Sequence, residues 1–276
     1  MIQYTKISLM LITSVILVTG SLSYAKSYVP NETALDKLSI TVGGRLYDRW
    51  WSVLQKDEPT SAHPNYPAEG KEEGADTWRC ASCHGWDYKG ADGVIGVFDM
   101  QGADPVEIQK IIRDETHQYT SEQLTDKAVE QLANFISVGL VDMDKYVDKA
   151  TMTIKGNPKH GEEIFEHVCA ICHGDTGKGI NFSGDNDNPE YIGTVANNET
   201  LLLFHRIRNG MPGQPMVSLI TLSTQTQTDV MAYEKTLPVD DNDPVMFHET
   251  HEDEHETGKA YFSEESINSF IKLYSK

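Results

Sequence analysis

The sequence predicts an all-α fold made of two small helical domains in tandem, and three observations carry this prediction. The pattern C-x-x-C-H occurs twice, at residues 80–84 and 169–173. Apolar residues at helical spacing precede and follow each copy. The segments come in the same order in both halves, which favours two units of one architecture.

The first helix is predicted within residues 31–54, which begin polar and then become amphipathic. Its apolar positions recur at spacings of one, three and four residues, typical of one face of a helix: Leu46, Tyr47, Trp50, Trp51 and Leu54. Residues 56–77 hold three prolines and two glycines and therefore predict an irregular loop. His63 lies inside this insertion and is only a weak ligand candidate.

Two more helices are predicted after the first C-x-x-C-H copy and a glycine-rich loop. Asp104 followed by Pro105 is typical of a helix N-terminus. The side of this helix that carries Ile108, Ile111 and Ile112 is apolar. Residues 124–138 have apolar positions at helical spacing, and Gly139 is suited to ending that helix. Residues 141–154 then connect the two halves.

The second half repeats this order without the insertion. Gly161 is followed by an apolar and an aromatic residue at positions three and four, as Gly43 is. Helices predicted at 200–208 and 229–236 match those at 106–113 and 129–136. The predicted domains are therefore residues 26–150 and 151–238, the second ending at Pro238.

The C-x-x-C-H pattern is the attachment signature of c-type haem. Two thiols three positions apart can each add to one haem vinyl group, and the following histidine supplies an axial nitrogen. A zinc site or a redox disulfide would also use C-x-x-C, but neither predicts the histidine twice. We therefore expect two covalently bound haem c groups, with these attachment thiols and proximal ligands: Cys80, Cys83, His84, Cys169, Cys172 and His173.

The start of the chain predicts export. Residues 1–25 combine Lys6, an apolar run and a small-x-small site that ends at Ala25, as in a cleaved signal peptide. A membrane anchor is the alternative, but the run is short for a span of about 20 residues. We expect a periplasmic protein whose mature chain has no membrane span.

The composition is strongly acidic, with a formal net charge of −19. This charge argues against nucleic acid as a partner. Such a surface either steers a basic redox partner or simply maintains solubility. The tail, residues 239–276, is rich in carboxylates and holds three spaced histidines, which are more often solvated than metal-binding: His248, His251 and His255. A short amphipathic helix is predicted near its end.

These features resemble the class I cytochrome c family, and specifically tandem dihaem cytochromes. In that family a small all-helical domain wraps one haem, and a helix with a glycine and an aromatic residue near its start precedes C-x-x-C-H. The resemblance covers residues near 40 to 238. The match is closer from Gly161 to Leu237 than in the first half, with its insertion.

The resemblance also suggests the distal ligands. Family members carry a methionine about 17 or 18 positions before the aromatic residue of the closing helix. Met216 lies 17 positions before Tyr233 and is preferred, whereas Met211 lies 22 before it and remains an alternative because Val217 replaces the family's usual proline.

The first half has no methionine at the matching place, since Met100 comes too early and Met143 lies beyond the closing helix. His117 lies 18 positions before Phe135, which suggests an iron bound by His84 and His117. An exposed His117 with an open or otherwise ligated iron is the alternative.

The resemblance implies a dihaem protein that transfers electrons between redox partners, and not an enzyme. One alternative is a haem enzyme, peroxidase-like or acting on sulfur compounds, which would need an open or displaceable iron site. The other is a fixed electron-transfer subunit of a larger dehydrogenase or reductase, with the tail or the insertion as docking elements.

Overall fold

The computed structural model describes residues 32–240, with side chains from residue 37 onward. The predicted signal peptide, the tail histidines and the predicted terminal helix lie outside the described residues. Within residues 32–240, every helix is too short or too polar to cross a lipid bilayer.

The described chain is mostly helical, as predicted. The α-helices are α1 (Glu32–Val53), α2 (Cys80–His84), α3 (Pro105–Ile112), α4 (Asp126–Asn134), α5 (Pro158–Ile164), α6 (Ala170–His173), α7 (Ile192–Asn198), α8 (Thr200–Asn209) and α9 (Thr224–Glu234). Short 3-10 turns cover Gly74–Trp78, Phe98–Met100 and Met143–Lys145, and π-helical turns cover Phe135–Gly139 and Phe165–Cys169. Two antiparallel strands, β1 (Val147–Asp148) and β2 (Thr153–Ile154), form a hairpin.

The N-terminal half, residues 32–154, is built on the crossing of α1 and α4. Gly43 permits this crossing because a Cβ atom there would collide with the backbone carbonyl of Gln131. Tyr47, fully buried, packs its ring against Phe135 at a centroid distance of 5.6 Å. The predicted apolar face of α1 is therefore the face that enters the core.

The C-terminal half, residues 155–240, repeats this crossing with α5 and α9. A Cβ atom on Gly161 would collide with the backbone of Asp229 in α9, as one on Gly43 would with α4. Phe165 and Tyr233 pack with ring centroids 5.3 Å apart. The sequence correspondence between Gly43 and Gly161 is thus a structural correspondence.

The helix N-termini explain where prediction succeeded and where it was wrong. The Asp104 side chain accepts a hydrogen bond from Val106 N–H, as expected of an N-cap before a proline. The closing helix α9 begins at Thr224, earlier than predicted, because Ser223 caps it by accepting from Thr226 N–H.

The helix α7 and the β-hairpin were not predicted. Ile111 is substantially exposed, whereas its helical neighbours Ile108 and Ile112 are buried.

A buried ion-pair network joins the two halves. Asp48 of α1 is fully buried and accepts from Arg79, just before α2, with Nη2 2.6 Å from Oδ1. Its other oxygen, Oδ2, lies 2.8 Å from Nε of Arg206 in α8. Burial alone would raise the pKa of Asp48, but the two arginines outweigh it and hold the pKa below its usual range.

A neutral histidine strengthens the same junction. His205 of α8 is fully buried, and its Nε2–H donates to the Gly44 carbonyl at 2.8 Å. The Tyr88 hydroxyl donates to His205 Nδ1 at 2.9 Å. Burial lowers the pKa of His205 to about 4, so the ring is neutral at physiological pH. The junction is therefore polar but fully hydrogen-bonded at this histidine.

We expect Asp48→Ala to destabilise the protein by about 3 kcal/mol or more, because two largely buried guanidinium groups lose this carboxylate, and Arg79 keeps only its longer pair with Asp76, at 3.2 Å. The control is Asp126→Ala, which removes an Arg–Asp pair whose carboxylate is fully exposed and should cost less than about 1 kcal/mol. Urea unfolding at neutral pH measures both. Because the folded-state pKa of Asp48 is lowered, its contribution is present above the unfolded pKa and is lost as the pH falls through the folded one. Equal losses of stability in Asp48→Ala and Asp126→Ala at neutral pH would contradict the proposed role of the buried Asp48 carboxylate.

Candidate haem centres

The first C-x-x-C-H run forms the one-turn helix α2. Positions i, i+3 and i+4 of a helix share one face, so the run brings Cys80, Cys83 and His84 to the same side. Burial, and then the neighbouring Cys83, raises the pKa of Cys80 to about 12, which keeps the free thiol protonated. Gly85 ends the helix with a positive φ of 77°. The two thiols and the imidazole are thus presented together.

The hydrogen bond made by the His84 ring determines which of its two nitrogens can bind a metal. Its Nδ1 lies 2.7 Å from the carbonyl oxygen of Ile95. A carbonyl only accepts, so Nδ1 carries the proton and Nε2 carries the lone pair. Burial lowers the pKa of His84, which favours the neutral ring that can bind iron.

His117 is held in the same way from the loop that follows α3. Its Nδ1 lies 2.8 Å from the Ile111 carbonyl oxygen and 3.1 Å from Oδ1 of Asp114. Both oxygens are acceptors, so in the neutral ring Nδ1 again carries the proton and Nε2 has the lone pair. The structure therefore gives His84 and His117 the same tautomer.

The two imidazoles lie near one another. The ring centroids of His84 and His117 are 6.1 Å apart, with an angle of 36° between the ring planes. If each metal–nitrogen bond is about 2.0 Å, two imidazoles on opposite sides of one iron have centroids roughly 6.3 Å apart. The spacing of the two rings therefore fits a pair of imidazoles that hold a single haem iron.

The other candidates of the N-terminal half have different environments. Met143 is completely buried in the hydrophobic core, and Met100 packs against that core from a 3-10 turn. His63 uses both ring nitrogens in hydrogen bonds, to Asn65 N–H and to the carbonyl of His117. Neither nitrogen of His63 is left to bind a metal.

The second C-x-x-C-H run spans the end of a π-helical turn and α6. Burial raises the pKa of Cys169, whereas Cys172 is exposed. His173 differs from His84, because its Nδ1 is buried without a hydrogen-bond partner among residues 32–240. Its ring lies 5.9 Å from that of Phe182. The two proximal histidines are thus held differently.

The loop between α8 and α9 carries both candidate methionines. Met216 is half-buried and packs against the hydrophobic core, whereas the half-buried Met211 does not belong to that cluster. Arg45 of α1 reaches this loop from the other half. Its Nε–H donates to the Asn209 carbonyl at 2.8 Å, and its Nη2–H donates to the Met216 carbonyl at 2.9 Å. One guanidinium therefore connects the end of α8 with the loop at Met216.

Sequence reasoning missed Glu234, which lies near the second attachment run. It is only 1% exposed, and its Oε2 has no hydrogen-bond partner among the described residues. Burial raises the pKa of Glu234 to about 8, and the carboxylate in turn raises the pKa of Cys169. A glutamate in the last turn of a helix is usually exposed, so the sequence held no signal for it.

One comparison bears on these centres. Residues 156–233 match the family described as cytochrome c oxidase, cbb3-type, subunit III. The matched segment contains the second attachment run, α8 and most of α9, and it supports a c-type cytochrome family for the chain. A domain of this type implies covalently bound haem c. No curated protein matches the chain.

We expect the pH dependence of stability to reveal Glu234. Its folded-state pKa is raised above its usual value of 4.5, so the folded state binds the extra proton and stability falls as pH rises from about 4.5 to about 8. This loss amounts to at most about 5 kcal/mol. Glu234→Gln should remove it, making the variant the more stable protein above about pH 8.

Urea unfolding of the holoprotein across this pH range provides the measurement. The exposed Glu163 offers a matched control in the same half, and Glu163→Gln should keep the wild-type profile. A Glu234→Gln profile that runs parallel to wild type would show that this carboxyl group does not titrate in this range.

Proposed function

We propose that the protein is an exported dihaem c-type cytochrome that carries electrons between partners through two unlike haems. The matched segment supports haem electron transfer as the general function. The observation that carries the finer proposal is the 6.1 Å spacing of the His84 and His117 rings with both Nδ1 atoms hydrogen-bonded. It supports a bis-histidine iron in the N-terminal half.

The repeated architecture supports a second haem of the same attachment type. Each half has a C-x-x-C-H run, a glycine-dependent helix crossing and a loop before its closing helix. We therefore propose two tandem cytochrome c-like domains, 26–150 and 151–238. Cys80 and Cys83 would attach one haem, and Cys169 and Cys172 the other.

The side chains around each centre would make the two haems unequal. Haem iron supplies the one-electron chemistry when bound, and the protein tunes it through ligands, hydrogen bonds and burial. Two imidazoles stabilise ferric iron better than an imidazole and a thioether do. The Nδ1–H bond of His84 also makes this ligand more basic, and His173 lacks that bond within the described residues. Both effects lower the potential of the first haem relative to the second.

This difference gives electron flow a direction, from the N-terminal haem to the C-terminal haem. A gap of about 100 mV would favour the second haem about 50-fold at equilibrium, since one electron requires roughly 59 mV per decade. The polar junction around Asp48 and His205 would keep the two centres in a constant relation during transfer.

A redox titration of the holoprotein tests the proposal. Two separate one-electron steps are expected, together with a bis-imidazole low-spin signal in electron paramagnetic resonance of the ferric protein. His117→Met should raise only the lower step towards the upper one, because a thioether then replaces an imidazole. His117→Ala should open that iron to carbon monoxide.

Two results would contradict the proposed bis-histidine centre. If wild-type protein titrates as two equal histidine–methionine haems, the centres are alike and the distal ligand of the first lies elsewhere. If His117→Ala leaves both steps in place, this histidine does not bind iron.

We propose Met216, not Met211, as the distal ligand of the second haem, supported by its packing against the core. Met216→Ala should abolish the sulfur-to-iron charge-transfer band of the ferric protein and lower the upper potential, while the first haem is unaffected. Met211→Ala serves as the matched control and should keep the band. The reverse pattern would assign the ligand to Met211.

We further propose a periplasmic location, based on the predicted signal peptide, and a basic redox partner, based on the net charge of −19.

Electron exchange with a basic partner should slow steeply as salt rises, because the Debye length falls from about 10 Å at 0.1 M to 3 Å at 1 M. Stopped-flow kinetics at increasing salt with a basic cytochrome and with an acidic one as control measures this. Rates independent of ionic strength would indicate that the acidic surface serves solubility.

A second candidate function is a fixed electron-transfer subunit of a larger oxidoreductase. The family that matches residues 156–233 is described as an oxidase subunit, which favours this candidate. Gel filtration of native periplasmic or detergent-solubilised membrane extract distinguishes the two. A free carrier elutes as a small haem protein, whereas a subunit elutes with a stable complex.

A further inference from the structure

The insertion, residues 56–77, reaches the loop that carries His117. His63 Nε2 lies 2.7 Å from the His117 carbonyl oxygen, and Asn65 Nδ2–H donates to the Thr116 carbonyl at 2.8 Å. The partners are 54 and 51 residues apart along the chain. These bonds therefore form a tertiary bridge between the insertion and the loop.

The direction of the His63 bond follows from its neighbours. The backbone N–H of Asn65 donates to His63 Nδ1 at 3.1 Å, so that nitrogen carries the lone pair. The proton of the neutral ring is then on Nε2 and is donated to the His117 carbonyl. His63 thus supports the backbone of His117 as a hydrogen-bond donor.

The base of the insertion is fixed beside the first attachment run. The ring of His63 packs edge-on against the Trp78 ring at a centroid distance of 4.4 Å. The backbone N–H of His63 donates to Thr77 Oγ1 at 2.7 Å. Trp78 Nε1–H donates to the Ser61 carbonyl at 2.7 Å. Because Trp78 immediately precedes Arg79 and Cys80, the insertion connects the attachment run with the distal loop.

Tyr119 anchors the C-terminal end of the His117 loop, because its hydroxyl donates to the Trp78 carbonyl at 2.8 Å and its ring packs against Trp78. The stretch before Tyr119 contributes little buried surface of its own. The residues on both sides of His117 are exposed, and Gln118 has a positive φ of 54°. Arg113 closes the base of the loop through the Leu124 carbonyl, with Nη2 2.6 Å from the oxygen. A stretch with few buried contacts opens more readily than the anchored part of the loop, and its opening would carry the His117 imidazole away from the iron position.

We propose that the insertion is a clamp on the distal ligand of the first haem, and that His63 is a positioning residue that keeps His117 on the iron. This inference rests on the proposed ligation by His117. Loss of the His63 bond should raise the population of the open, five-coordinate first haem about fivefold, the shift that one typical hydrogen bond supports. The insertion would thereby make the first centre a closed electron-transfer site.

The experiment uses the full-length holoprotein and carbon monoxide as the probe of ferrous iron. In His63→Ala, carbon monoxide should bind the first haem about fivefold faster, and the ferric bis-imidazole signal should lose intensity to a high-spin signal. His63→Gln, whose amide N–H can reach the same carbonyl, should restore most of the wild-type behaviour. Lys71→Ala, an exposed change in the same insertion, should match wild type in both measurements.

The outcomes separate the clamp from the ligation itself. If His117→Ala opens the iron while His63→Ala keeps the wild-type rate and spectrum, the clamp is wrong and the ligation stands. If His117→Ala opens no iron, the proposed bis-histidine centre fails first, and the clamp fails with it.

A second variant covers poor folding. If His63→Ala does not accumulate, Asn65→Ala removes the neighbouring bond to Thr116 and should also accelerate carbon monoxide binding. A wild-type rate in Asn65→Ala, with a wild-type thermal midpoint, would overturn the clamp.

Discussion

One buried carboxylate is the constraint on which the arrangement of the two halves depends. Asp48 is removed from water in the middle of α1, where a charge is tolerated only when it is paired and hydrogen-bonded. Its two partners are Arg79, next to the first attachment run, and Arg206, in the helix that leads to the Met216 loop. A single side chain thus links a feature of each proposed haem centre.

Two further residues of the helix α1 support the two halves of the molecule. Gly43 lets it cross α4, and Arg45 holds the Met216 loop of the other half. Each distal loop is consequently supported by another part of the chain. The helix α1 supports the Met216 loop, and the insertion supports the His117 loop. Axial ligands on exposed loops need such support, since loops contribute little packing energy of their own. Ligation at each proposed centre would therefore depend on the whole molecule.

Much of the helical order could be predicted from the sequence, because periodicity and capping residues are local signals. C-x-x-C-H is also a local signal, and it indicated the two candidate haem centres. The position of His117 was predicted by its offset from Phe135, and the structure then brought its ring close to that of His84. Asp48 and Glu234 could not be predicted as buried, because a charged residue within a helix ordinarily faces solvent. The role of His63 was also hidden, since its partner lies 54 residues away.

The most direct test of the account counts sulfur ligands on iron. X-ray absorption at the iron edge of the ferric holoprotein reports the average number of sulfur atoms bound per iron, and the cysteine thioethers do not contribute because they attach to the porphyrin periphery. Two unlike haems should give about one sulfur ligand for every two irons, with nitrogen filling the remaining positions. One sulfur on every iron, or none on any, would contradict the claim that the two haems are held by unlike axial ligands.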